Sequence, residues 1–185
     1  NQGYFYPFKF DITDVVKDKN ILVVKVESYD EENLNKKTQI GGVFYHWDCR
    51  DPTFNPGGIW RSVEVYETGD VWIERVKVIT RKIDRDEAVL NIRIWLGSKT
   101  SLKVGLAIGV TPENFDGGKQ TKHITVELSE GVTLLETNIV ISKPRLWWTW
   151  DLGPQNLYRI DVAVLEGDEV SDKKSILTGI RQVKL

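Results

Sequence analysis

The sequence predicts an all-β fold, and three observations carry the prediction. Between residues 71 and 185 about seven segments alternate apolar and polar side chains at short, regular spacing. No apolar pattern of helical period runs beyond about a turn or two. Residues 1–66 add roughly three or four strand-like runs, with more aromatics than so small a sheet can bury. The regular series reads as an immunoglobulin-like β-sandwich. The first part reads as the C-terminal part of a larger β-domain. The change of texture at Glu67-Thr68-Gly69-Asp70 puts the domain boundary between residues 1–67 and 68–185.

In order, residues 3–10 alternate Tyr4, Tyr6 and Phe8 with Phe5, Pro7 and Lys9, which suits a strand covered in part on both faces. Thr13 or Asp14 is placed to cap a single helical turn over residues 11–16. Residues 17–20 (KDKN) form a charged turn, and the β-branched run 21–26 (ILVVKV) is a buried strand. Residues 28–39 are polar, without a pattern. Residues 58–66 alternate again. Next come strands over 71–82, 88–97, 102–111, 123–128, 132–142 and 158–165, with a last strand or pair towards Leu185. Leu90, Ile92, Ile94 and Leu96 share one face, as do Leu102, Val104, Leu106, Ile108 and Val110, then Ile124, Val126 and Leu128, then Tyr158, Ile160, Val162 and Val164. The turns fall at Phe115-Asp116-Gly117-Gly118 and Gly167-Asp168.

Residues 41–61 (GGVFYHWDCRDPTFNPGGIWR) fit neither a strand nor a short turn. Aromatics, a polar cluster (His46, Asp48, Arg50, Asp51) and turn residues share this one stretch. A connection this long inside a compact domain is uncommon and often functional, and its apolar area needs cover. Tryptophan fills cores by default, so each of the seven Trp residues has that expected role, with a stacking platform for sugar as the alternative.

Composition narrows the function. A net charge of −2, with 25 Lys and Arg against 27 Asp and Glu, argues against a nucleic-acid partner. No apolar run approaches the roughly 18–20 residues of a membrane span, so no membrane partner is expected. The opening NQGYFYPFKF carries no secretory pattern and the chain holds no Met, so an excised piece of a longer, cytoplasmic polypeptide is expected. One cysteine, Cys49, excludes an intrachain disulfide. Phosphate-loop, nucleophile-elbow and zinc-ligand spacings are all missing, so neither a cofactor nor a metal site is expected. His123 sits on a strand face as a surface residue. Cys49 beside His46 lacks a third group to orient a base. Asp48 and Asp51 could offer oxygens to a hard cation, but two such residues more often cap turns or pair with Arg50 or Arg61. Glycoside hydrolysis needs two carboxyl groups across the scissile bond. The acidic residues of 71–185 lie on solvent faces and in turns, so no catalytic residue is expected in this chain.

A family resemblance then rests on specific residues. Phe8-Lys9-Phe10-Asp11-Ile12-Thr13-Asp14-Val15 with Asn20-Ile21-Leu22-Val23-Val24-Lys25-Val26, and Trp47-Asp48 with Gly58-Ile59-Trp60-Arg61-Ser62-Val63, resemble the end of the jelly-roll (galactose-binding-like) domain of glycoside hydrolase family 2. Pro144-Arg145-Leu146-Trp147-Trp148, Gly153-Pro154-Gln155-Asn156-Leu157-Tyr158 and Thr178-Gly179-Ile180-Arg181-Gln182-Val183 resemble the end of that family's immunoglobulin-like domain. The double Trp is most similar to the β-mannosidase branch. Cys49 and Thr178 stand where that branch tends to have Trp and Phe.

The resemblance implies a parent glycosidase that hydrolyses terminal, non-reducing β-glycosides, β-mannosidase-like, through two glutamates on a barrel outside this chain. That barrel and a terminal β-linked sugar are the implied partners, and the chain by itself is expected to be inactive. It implies that Trp47 walls the sugar pocket and that Asp48, with Arg50 beside it, meets sugar hydroxyls. Planar aromatics with a charged acceptor suit a sugar on physical grounds as well. The plain alternative is that these residues only anchor the loop. A different class also fits: a free-standing carbohydrate-binding or adhesin-like module using Trp47, Phe54, Trp147, Trp148 or Trp150.

Overall fold

The computed structural model describes residues 3, 5–27 and 58–183. It divides into two compact units, Asn1–Val65 and Tyr66–Leu185. Every regular element among the described residues is a strand, so the chain is all-β.

The second unit is a seven-stranded antiparallel sandwich. Its strands are β1 (Val71–Ile83), β2 (Glu87–Ser98), β3 (Leu102–Pro112), β4 (Gln120–Leu128), β5 (Gly131–Ser142), β6 (Tyr158–Glu166) and β7 (Glu169–Thr178). One sheet has the order β1-β2-β5 and the other β4-β3-β6-β7. In the constant-type immunoglobulin arrangement the fourth strand joins the first sheet; here β4 pairs with β3 instead. The strands match the alternating segments of the sequence closely, and the final stretch forms one strand rather than a pair.

Period-two alternation places the core. Leu90, Ile92, Ile94 and Leu96 of β2 are fully buried, and they face Val104, Leu106, Ile108, Val110, Ile160, Val162 and Val164 of the other sheet. The core is aliphatic except for Tyr158, whose ring meets Phe115 edge-on at 5.0 Å. The expectation that tryptophan fills the core fails here. None of the six described Trp residues belongs to the buried set, and Trp148 and Trp150 are 45% and 86% exposed. Trp72 and Trp95 lie on the outward face of the three-stranded sheet. Trp72 lies across its register partner Gly97, and the Arg75 guanidinium covers the Trp95 ring at 3.8 Å. A branched aliphatic set fills the space between two close sheets, and the indoles with their N–H groups go to the outside. Cross-strand pairs fix the register on that outer face: Asn91 Nδ2 donates to Asn138 at 3.0 Å, and Arg93 pairs with Glu136 at 3.0 Å.

Side chains of the larger sheet occupy both edges of the smaller one. On the β1 edge, Asp172 accepts from the Ile73 N–H at 2.7 Å. Lys174 Nζ donates to the carbonyls of Ile73 (2.7 Å) and Glu74 (3.1 Å), where β1 carries a register shift. On the β5 edge, Gln120 donates to the Val140 carbonyl at 3.2 Å, and Lys122 Nζ donates to Asn138 O at 3.0 Å and Thr137 Oγ1 at 2.7 Å.

The first unit departs from expectation. Residues 21–26 form no strand, and Ile21 and Val23 are 92% and 83% exposed rather than buried. The described residues of 3–10 and 58–66 are likewise not in strands. A β-branched run becomes a strand only beside a second one, and the described residues of this unit supply no such neighbour. The turn over 12–16 does form, with the Val15 and Val16 N–H groups donating to Ile12 O at 3.0 and 3.1 Å. Its cap is Asp11, which accepts from the Thr13 N–H (3.0 Å) and hydroxyl (2.6 Å), rather than Thr13 or Asp14. Asn20 closes the charged turn by accepting from the Lys17 N–H at 3.0 Å.

Candidate functional site

Trp47, Asp48 and Arg50 lie outside the described residues, as do His46, Cys49, Asp51 and Phe54. The stretch that follows them is described from Gly58. There Trp60 is 54% exposed, the Arg61 guanidinium sits 4.6 Å from its ring centre, and Phe5 meets it edge-on at 6.3 Å. Ser62 donates to Glu64 at 2.8 Å, a contact two residues apart that suits an extended segment. The polar chemistry assigned to residues 46–51 therefore begins just upstream of an aromatic cluster already stacked within its own unit.

In the sandwich, several carboxylates make structural contacts. Glu166 accepts from the Val71 N–H at 3.1 Å and from Ser171 Oγ. Asp161 takes the Ser175 hydroxyl at 2.6 Å and stands 3.5 Å from Arg159, which also pairs with Glu113 at 3.3 Å. Lys82 and Asp84 form an exposed pair at 2.5 Å, and the hydrogen bond and charge of Asp84 raise the lysine pKa. His123 is exposed on β4, as its alternation indicates. Among the described residues, no three His, Cys, Asp or Glu side chains gather to hold a metal.

The feature of the sandwich that periodicity does not reveal is the segment between β5 and β6. It is lashed to its surroundings. Trp147 N–H donates to Ile180 O at 2.9 Å, Trp148 N–H to Pro154 O at 3.1 Å, and Asn156 Nδ2 to Leu146 O at 2.9 Å. Arg145 N–H donates to the Tyr158 hydroxyl at 2.9 Å, and burial raises the pKa of that phenol. A groove of about 490 Å³ opens here, lined by Ile83, Leu146, Trp148, Leu152, Arg181 and Val183 among others. In the sequence, the motifs at 144–148, 153–158 and 178–183 marked its surroundings, but not that they meet at a groove.

Residues 71–181 match Glycosyl hydrolases family 2. The chain belongs to that family. The match runs from the first residue of β1 to the wall of the groove. Among the relatives of this family 2 chain, the exo-beta-D-glucosaminidase of Hypocrea virens is 30% identical over 179 residues, 94% of this chain and 19% of the relative. The mannosylglycoprotein endo-beta-mannosidase of Lilium longiflorum is 27% identical over 99% of this chain and 22% of its own length. Among solved structures, the beta-D-mannosidase of Dictyoglomus thermophilum superposes with a TM-score of 0.62 at 27% identity, covering 70% of this chain and 16% of that one. The chain thus spans about a fifth of the length of these relatives.

Proposed function

We propose that this chain is the non-catalytic β portion of a family 2 glycosidase that removes terminal, non-reducing β-linked sugars, and that the parent is β-mannosidase-like. The supporting observation is the sandwich, a family 2 element whose relatives are glycosidases about five times as long. In this reading residues 1–67 are the end of a jelly-roll domain and 68–185 the immunoglobulin-like domain. Trp47 walls the pocket of the terminal sugar, and Asp48 accepts from its hydroxyls with Arg50 beside it.

The mannosidase assignment draws on the lily and Dictyoglomus relatives together with the adjacent Trp147 and Trp148. The exo-glucosaminidase resemblance supports a second reading, in which the terminal sugar carries an amine. Both give the sandwich the same role and differ in the pocket.

The test uses the complete gene product with nitrophenyl β-mannoside, β-glucosaminide, β-glucuronide and β-galactoside. The proposal expects the highest kcat/KM on the mannoside; a maximum on the glucosaminide moves the assignment to the second reading. Asp48→Ala should lower kcat/KM by one to three decades, about 1.4–4 kcal/mol of transition-state stabilisation. Unchanged kinetics would remove Asp48 from the pocket.

A further inference from the structure

Strands β4 and β5 follow one another in the chain but are edge strands of opposite sheets, and they do not pair. Side chains bridge the gap between them instead. Lys122 reaches Asn138 O and Thr137, and Gln120, at the start of β4, reaches Val140 O near the end of β5. A cavity of about 300 Å³ lies at that end, lined by Val110, Gly118, Gln120, Val140, Ser142 and Tyr158 among others. A β-carbon on Gly118 would meet nothing within 4 Å, so the cavity is open on that side. Its volume is at the lower end of the range for small-molecule sites, which starts at about 300 Å³.

Three polar groups of the cavity keep hydrogen-bonding capacity in reserve. Tyr158 is only 4% exposed, and its hydroxyl accepts from the Arg145 N–H at 2.9 Å. The phenol proton itself meets no acceptor among the described residues, and a buried donor is costly to leave unmade. Burial also keeps that proton in place to high pH. Gln120 commits its amide N–H to Val140 O at 3.2 Å, which leaves Oε1 as an acceptor. The Ser142 hydroxyl, exposed and without a partner among the described residues, can both donate and accept. Val110 and Val140 supply aliphatic wall, and no charged side chain lines the cavity.

These groups select a class of ligand. A carboxylate or phosphate would need a cation, and the nearby Arg145 guanidinium is held over the Phe115 ring at 5.1 Å. An ammonium would need a carboxylate, and none lines the site. A hydroxyl both gives and takes a hydrogen bond, so neighbouring hydroxyls on one carbon skeleton answer a donor, an acceptor and a dual group together. The C–H surface of that skeleton suits the valine walls. We infer that this cavity binds a small neutral polyhydroxyl compound of the size of a monosaccharide or sugar alcohol, with one hydroxyl accepting from Tyr158 and others bonded to Ser142 and Gln120. The site is separate from the sugar pocket proposed at Trp47, Asp48 and Arg50, and it does not depend on the identity of the parent.

Amide NMR of the 185-residue chain tests this, with methyl β-D-mannopyranoside, mannitol, sodium acetate and methylammonium chloride as separate probes. The expected result is saturable shifts at the Gly118, Gln120 and Ser142 amides in the millimolar range, as suits so small a ligand, with one or both of the first two probes and with neither ion. Which of those two binds distinguishes a ring from a linear polyol. Tyr158→Phe and Ser142→Ala should each weaken binding about threefold to tenfold, the loss of one hydrogen bond. Ser142→Ala alters an exposed side chain that the fold does not use, so it carries the test if Tyr158→Phe fails to fold. No saturable shift means that the cavity holds water alone and overturns the inference. Equal shifts with acetate or methylammonium overturn the ligand class. Shifts confined to residues 41–61, or undiminished binding by Ser142→Ala and a folded Tyr158→Phe, overturn the site.

Discussion

Trp147 lies so close to Gly179 that a β-carbon there would sit 2.6 Å from Trp147 Cβ and Cγ. Both groups are held: Trp147 by its hydrogen bond to Ile180 O, Gly179 between β7 and buried Ile180. Gly179→Ala should therefore cost about 1–3 kcal/mol, the usual penalty of overpacking, and lower the urea midpoint without changing the slope. Tyr158 supplies a second prediction. Burial raises its pKa above the ordinary 10.0, and the bond from the Arg145 N–H offsets part of that rise. The folded chain thus keeps the phenol proton to higher pH than the unfolded chain. The stability tied to this proton is complete below the unfolded pKa and is lost as pH rises through the folded one. Urea midpoints at about pH 8 and pH 11 should show the decline, and Tyr158→Phe should flatten it while costing about 1 kcal/mol at neutral pH.

At the scale of elements, the two edges of the three-stranded sheet are the vulnerable features. An open edge strand invites pairing with another chain. Lys174 over Ile73 O and Glu74 O, and Lys122 over Asn138 O, fill carbonyls that an incoming strand would need. The double variant Lys122→Ala/Lys174→Ala should associate in a concentration-dependent way, seen by size-exclusion chromatography with light scattering. An unchanged association state would mean that these two lysines are not what protects the edges. The strands were legible in advance because alternation over 9–13 residues reports burial on one face directly. The edge contacts were not, since they join residues about 100 apart on β1 and β7 and about 16–20 apart on β4 and β5. The run 21–26 shows the converse: β-branched residues announced a strand that the described unit does not pair.

Across the whole sandwich, one aliphatic core joins the two sheets. Ile92 on β2 and Ile108 on β3 are both fully buried on opposite sides of it. Each Ile→Ala change should cost about 2–5 kcal/mol, against about 0.5 kcal/mol or less for exposed Leu134→Ala, as measured by chemical denaturation. The candidate sugar contacts Trp47, Asp48 and Arg50 belong to the other unit, so these core variants test the platform and the pocket variant tests the site. Of that site, residue types and a motif were legible; the positions of those side chains are not described.

The sequence by itself determined the all-β class, about seven strands of the sandwich, the shared apolar faces of β2, β3, β4 and β6, and the family. Each of these is written in local alternation or in short motifs, and neither needs knowledge of a distant partner. Tertiary structure alone decided that β4 joins β3, that side chains close the edges of the smaller sheet, that the tryptophans stay outside an aliphatic core, and that Trp148, Leu152 and Val183 meet at one groove. Those outcomes depend on which strands share space and on the volume left between two sheets, and a one-dimensional pattern carries neither quantity.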